Sequence, residues 1–243
     1  MSYFDFTPWS EFLNDVRAAE DQLGNPTTVW YRGVNDERYQ LSPSLLRRSN
    51  GVEKEQELYN KYRLLASLVH EERRSDWQYL FDMQHYRIPT RLLDWTEILG
   101  IAVFFALLGA DDQDAAVYVL DPLALNSRSS KRVIPSVYED SSFDYKKIYW
   151  HHEPMPPMSP VAIQAPAQNP RILAQRGKFT VHGFDEKPLD DLFPELVKKV
   201  TLSRRTREAA GEYLRVSGID EFSVFPDVVG LAPFLETIVG IKP

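Results

Sequence analysis

The stretch Gln84 to Ala106, QHYRIPTRLLDWTEILGIAVFFA, constrains this chain more than any other. It opens with polar and cationic residues around Pro89 and runs straight into an apolar segment. His85, Arg87, Thr90, Arg91 and Asp94 fall within ten residues. Such a cluster, feeding directly into a core element, predicts a functional site anchored on the interior. The apolar segment, Ile98 to Leu108, is broken only by Gly100. It predicts a buried helix, far shorter than the roughly 20 residues that cross a bilayer. Asp94-Trp95-Thr96-Glu97 has the spacing of a capping box, an N-cap oxygen with a Glu three residues on. Asp94 therefore reads either as a helix cap or as an acid/base or ligand-orienting group, and the two roles can coexist.

A second stretch, Val29-Trp30-Tyr31-Arg32-Gly33, reads as its partner. Residues Thr27 to Arg32 are β-branched and aromatic and predict a strand ended by Gly33. Arg32 at that strand end either pairs with a carboxylate or holds an anion, with Gly33 letting a ligand approach the backbone. His85, beside Arg87, Thr90 and Arg91, suits a phosphate or a ribose.

Composition narrows the classes. The chain has 243 residues, 43% of them hydrophobic, enough for a sizeable core. Its net charge of −7 argues against a dedicated non-specific nucleic-acid binder, while leaving room for a local basic groove. With no cysteine, disulfides, thiolate metal sites and a cysteine nucleophile are excluded. The N-terminus lacks a basic region followed by an apolar one, so no signal peptide and a cytoplasmic, membrane-free protein are expected.

Along the chain, Thr7-Pro8 predicts a helix start with Thr7 as N-cap, and Gly24-Asn25-Pro26 its end. Residues Asn35 to Ser49 read as loop. Glu53 to Glu72 predicts an amphipathic helix burying Leu58, Tyr62, Leu65 and Val69. Ser75 is placed to cap a shorter helix carrying Trp77, Leu80 and Phe81. Strands are expected at Ala115 to Leu120, Val161 to Gln164, Lys178 to His182 and Leu196 to Leu202. Ser203 caps a helix to about Ser217, and Phe222 to Pro243 reads as loop and short elements. Residues 126–168, rich in Ser, Pro and His, predict an irregular excursion or mobile flap over the site. Helices and short strands alternate without a βαβ rhythm or a glycine-rich phosphate loop. The fold class is α+β, a single mixed domain of short strands with surrounding helices. His151-His152-Glu153 offers metal-binding groups, but adjacent strand residues point opposite ways and no third ligand is evident, so no metal is expected. The Arg204-Arg205-Thr206-Arg207 cluster reads as a solvated helix face.

Four segments together resemble the FRG domain family: Tyr31-Arg32-Gly33; Gln84-His85 with Pro89 to Thr96; Ala102 with Phe105-Ala106; and Gln175-Arg176-Gly177-Lys178-Phe179. The similarity runs from about Thr28 to Thr180, and Phe225-Pro226-Asp227 fits the family's ending, so residues 1–243 are expected to form one FRG-like domain. A more distant similarity, in motif order, is to ADP-ribosyltransferases. It implies that Arg32 holds the phosphates of NAD as substrate and that Thr90 supports the nicotinamide ribose. Tyr31, Gly33, Arg91 and Gln175 would complete the binding set, with His85 and Asp94 as catalytic groups. Gly177 stands where that likeness would place the catalytic Glu. The implied function is an NAD-using, ADP-ribosyltransferase-like toxin or defence effector acting on a protein or nucleic-acid target. The alternatives are a non-catalytic module binding a nucleotide, a nucleic acid or a protein partner, and a phosphodiester-acting nuclease.

Overall fold

The structure is a computed structural model that describes residues 5–68, 74–109, 113–128, 133–137, 143–153, 159–166 and 169–240. Its centre is a six-stranded antiparallel sheet of β1 (Trp30–Val34), β2 (Leu92–Thr96), β3 (Ala115–Leu120), β4 (Val161–Ile163), β5 (Gly177–Val181) and β6 (Val197–Leu202), in the order β4-β5-β2-β1-β3-β6. Strands β1 and β3 share five registered pairs, from Trp30↔Leu120 to Val34↔Ala116. Between β1 and β2 there is one, Tyr31↔Thr96, beyond which the two strands separate.

Side-chain alternation sorts the core. On one face Trp30, Leu93, Trp95, Tyr118 and Leu120 pack under the 36–50 loop, α5 (Pro122–Ser127) and α8 (Leu189–Leu192). The other face carries two separate helical clusters. Over β1, β3 and β6 lie α1 (Thr7–Gln22), α4 (Leu99–Leu107) and α9 (Arg204–Val216). Over β2, β5 and β4 lie α2 (Gly51–Ala66), α3 (Asp76–His85) and α6 (Tyr145–Tyr149). The chain closes with α7 (Pro170–Ala174), α10 (Glu221–Val224) and α11 (Val228–Val239). Among the described residues no helix is long and apolar enough to cross a membrane.

Helix α4 is buried as its apolar run predicts, with Ala102, Val103 and Ala106 at 0% exposure. It starts later than the capping-box spacing suggests. Asp94 belongs to β2, and the N-cap is Ile98, whose N–H is accepted by the Thr96 hydroxyl at 3.0 Å. Gly33 also differs from expectation. It lies within β1, and a Cβ there would stand 1.8 Å from the Ala102 carbonyl oxygen. The missing side chain admits α4.

Helix α2 buries Gly51, Glu55, Tyr59 and Ala66, while Leu65 is 62% exposed. The apolar stripe is rotated because Glu55 must face inward. Both its oxygens accept from Arg91 Nε, at 2.9 and 2.8 Å, and the Tyr145 hydroxyl donates to it. Val69, placed on that stripe, lies outside the described residues. Parts of 126–168 pack into the core: Tyr145, Tyr149, Ala162 and Ile163 are 2% exposed or less. His151 and His152 are exposed, and His152 stacks on Phe184. Where loop and short elements were expected in the tail, the short α10 is followed by the twelve-residue α11.

Two outcomes follow for stability. Glu55→Ala strands the Arg91 guanidinium in the interior and should lower the unfolding free energy by about 3–5 kcal/mol in urea titrations. Gly33→Ala forces α4 off the sheet and should cost about 1–3 kcal/mol, with the near-UV dichroism of the aromatic core shifting as well.

Candidate functional site

A cleft of about 320 Å³ opens where β1 and β2 separate, between the two helical clusters. Ile101, Phe105 and Leu108 on or next to α4 form one wall. Phe81, Gln84 and His85 on α3 form the other. The floor is Tyr31, Asp94, Thr96 and Phe179, and α7 with Phe225 closes the far end. The volume is at the lower end of what small-molecule sites use, roughly 300–1,000 Å³.

Arg32 reaches this cleft through the split in the sheet. Its Nη1 donates to the Asp94 carbonyl at 2.7 Å and stands 3.7 Å from Asp94 Oδ2. Burial holds its guanidinium below the ordinary value, Asp94 opposes that, and Arg47 adds to it. Asp94 is 52% exposed, but what it exposes is the floor of a walled cleft where water approaches from one side. Poor hydration pushes its carboxyl up, against Arg32 and the Gln84 hydrogen bond.

His85 is held neutral. Asn169 caps α7 by accepting from Arg171 N–H with Oδ1, which leaves Nδ2 to donate to His85 Nδ1 at 3.1 Å. His85 Nε2 then carries the proton. Partial burial lowers its pKa, and nearby Arg171 adds to that. Arg171 itself grips Asp227 at 2.6 and 3.0 Å and lies over the Phe225 ring. Asp227 in turn caps α11 by accepting from Val229 N–H. Gln175 joins the ends: its carbonyl accepts from the Thr96 hydroxyl at 2.6 Å, and its amide donates to Val224 O at 3.0 Å.

Of the residues expected at the site, Tyr31, Arg32, Gly33, His85, Asp94 and Gln175 line this cleft. The Tyr31 ring does so while its hydroxyl bonds Glu20 on α1. Two do not line it. Arg91 is 1% exposed and tied to Glu55, with Phe184 under its guanidinium. Thr90 is 1% exposed, with its hydroxyl on Gln84. Among the described residues, neither His151, His152 nor any other position of 126–168 contributes to the lining. Gln84, Lys178 and Phe225 were visible within motifs but carried no expected role at the site, and Asn169 and Arg171 had none either. The Arg171–Asp227 pair spans 56 positions, and no local pattern announces it.

Among the described residues, no group of three or more His, Asp or Glu is placed to hold a metal ion. Among the described residues, the lining carries four cations, Arg32, Arg87, Arg171 and Lys178, against one carboxylate, Asp94.

Fold and site thus define an α+β domain with a cationic cleft at a split in its sheet. The family model of the FRG domain matches residues 27–115 and supports that family for this part of the chain. The matched segment holds Arg32, Gln84, Asp94 and α4, and stops short of α7 and Asp227. No curated protein and no solved structure matches the chain.

The far-end closure has a pH signature. The Arg171 hydrogen bond holds the Asp227 carboxyl below its ordinary value. A depressed carboxylate contributes stability that is present above its unfolded pKa, about 4, and lost as pH falls through the native value. The Tm difference between the wild type and Asp227→Asn should therefore shrink as pH is lowered from about 6 to about 3.

Proposed function

We propose that the cleft binds a nucleotide and that the chain uses NAD as a substrate, breaking the bond between nicotinamide and its ribose. One observation carries this reading: an acidic chain with net charge −7 concentrates four cations around one carboxylate in a cleft walled by aromatic rings. Counting Glu97 and Asp227, which pair with Lys178 and Arg171, the cleft is still positive by one. Cations suit a diphosphate, and the faces of Phe105, Phe179 and Tyr31 suit a heteroaromatic ring.

In this reading Arg32 neutralises the diphosphate. Asp94, on the cleft floor, faces the ribose carbon that gains positive charge as the bond stretches. The electron pair of the C–N bond leaves with the ring nitrogen as neutral nicotinamide. Water or an acceptor nucleophile bonds to the ribose carbon and loses its proton to solvent. His85, neutral at pH 7, offers Nε2–H as a donor to the ligand. Loss of NAD is the means by which such an enzyme would serve as a toxin or defence effector.

The second reading, a nucleotide-binding module without turnover, is favoured by Gly177. It sits at the start of β5, on the cleft lining, where the likeness to transferases calls for an acid. The test is nicotinamide release from NAD by purified protein, followed chromatographically, alongside calorimetric binding. Arg32→Ala should raise KM about tenfold or more through the loss of a charge-assisted contact. Asp94→Asn should lower kcat by about 10²-fold or more with little change in binding. Binding without release would favour the second reading, and neither binding nor release would defeat both.

A further inference from the structure

We propose that Thr90 and Gln84 are positioning residues, which present Asp94 to the cleft as an ionised carboxylate through a chain of hydrogen bonds with a fixed direction. The chain begins at a backbone group that can only donate. Leu92 N–H donates to Thr90 Oγ1 at 3.0 Å. The Thr90 proton is thereby free to point onward, and Thr90 Oγ1 donates to Gln84 Oε1 at 2.6 Å. With its oxygen occupied, the Gln84 amide must turn its NH₂ to Asp94, and Nε2 donates to Oδ2 at 2.7 Å. The opposite amide orientation would set the Gln84 oxygen against a carboxylate oxygen and leave the Thr90 hydroxyl without an acceptor.

The root of the chain is rigid and dry. Thr90 is 1% exposed, its carbonyl accepts from Leu45 N–H at 3.2 Å, and the residue leads directly into β2. Gln84 is on α3, in the wall facing the cleft, so the chain runs from the entry of β2 across to α3 and back to a carboxylate on β2. Gln84 and Asp94 line the cleft, and Thr90 is not among its lining residues. A donor held on Oδ2 favours the anion, against a cleft that hydrates it poorly. Thr90 therefore acts on the ligand only through Gln84 and Asp94. The other charged or titratable groups lining the cleft with Asp94 are Tyr31 and Arg32 from β1, His85 and Arg87 from α3 and its turn, Arg171 from α7, and Lys178 from β5. None of them bonds to the Thr90 hydroxyl.

This proposal rests on Asp94 being the acid of the cleft and does not require NAD to be the ligand. The experiment is a ¹³C NMR titration of the Asp94 side-chain carboxyl in the full chain. Thr90→Val removes the hydroxyl at constant shape, Thr90→Ser keeps it, and Gln84→Met removes the final donor. The Asp94 pKa should rise by about one pH unit in Thr90→Val and in Gln84→Met, the effect of one charge-stabilising hydrogen bond. It should stay at the wild-type value in Thr90→Ser. The acid limb of any nicotinamide-release profile should move upward in pH in the same two variants. If Thr90→Val folds and its Asp94 titrates as in the wild type, the proposal is overturned. If Thr90→Val does not fold, Gln84→Met decides by the same criterion. Should the wild type release no nicotinamide while the titrations shift as expected, the NAD reading fails and the positioning chain stands.

Discussion

Helix α4 rests on β1 with no side chain between them, and the architecture of the cleft depends on that contact. Gly33 makes it possible: the Ala102 carbonyl and the Ala106 amide occupy the space that a Cβ would fill. An apolar helix with Ala102 and Ala106 toward the sheet can settle this low only over a glycine. Sitting low, it leaves its neighbours Ile101 and Phe105 to form a wall rather than a roof. The second helical cluster is anchored elsewhere, and the space between the two remains open above the place where β1 and β2 diverge.

Two arginines from the two sequence motifs have opposite fates, and the difference is one of partners. Arg91 meets both oxygens of Glu55, a backbone carbonyl and aromatic faces, so its charge is fully compensated inside the protein. Arg32 meets a backbone carbonyl and one carboxylate at longer range, and a quarter of its side chain stays open. A compensated arginine fixes structure. An arginine with unmet hydrogen-bonding capacity is the one that the proposed anion would engage.

The sequence made much of this legible, for local reasons. The Ser75 cap with Gln78 three residues on, the buried run of α4, the β-branched strands and the polarity around Asp94 are all set by neighbours a few positions apart. What stayed hidden depends on distant partners. Glu55 turns α2 because Arg91, 36 positions away, needs it. Thr90 and Arg91 are adjacent to the cleft in sequence, yet both are buried, because the chain turns inward after Pro89. In the tail, Gly230 and Pro233 argue against a helix by propensity. The Asp227 cap and the close fit of Gly230 against the Phe225 carbonyl override them. The closure by Arg171 and Asp227 needs the whole fold before it can be seen.

The single registered pair between β1 and β2 makes the sheet two three-stranded ribbons joined along a seam. Within each ribbon the ladders are continuous; across the seam the backbone is fastened at Tyr31 and Thr96, with Arg32 acting as a rivet just beyond. A load that pulled the ribbons apart would open the molecule here first, along the line where the cleft lies. Occupancy of the proposed site and sheet integrity would therefore be mechanically coupled. A guest bridging Arg32 on one ribbon and Asp94 on the other would act as a tie across the joint, and slower amide exchange at Tyr31 and Thr96 would register its arrival.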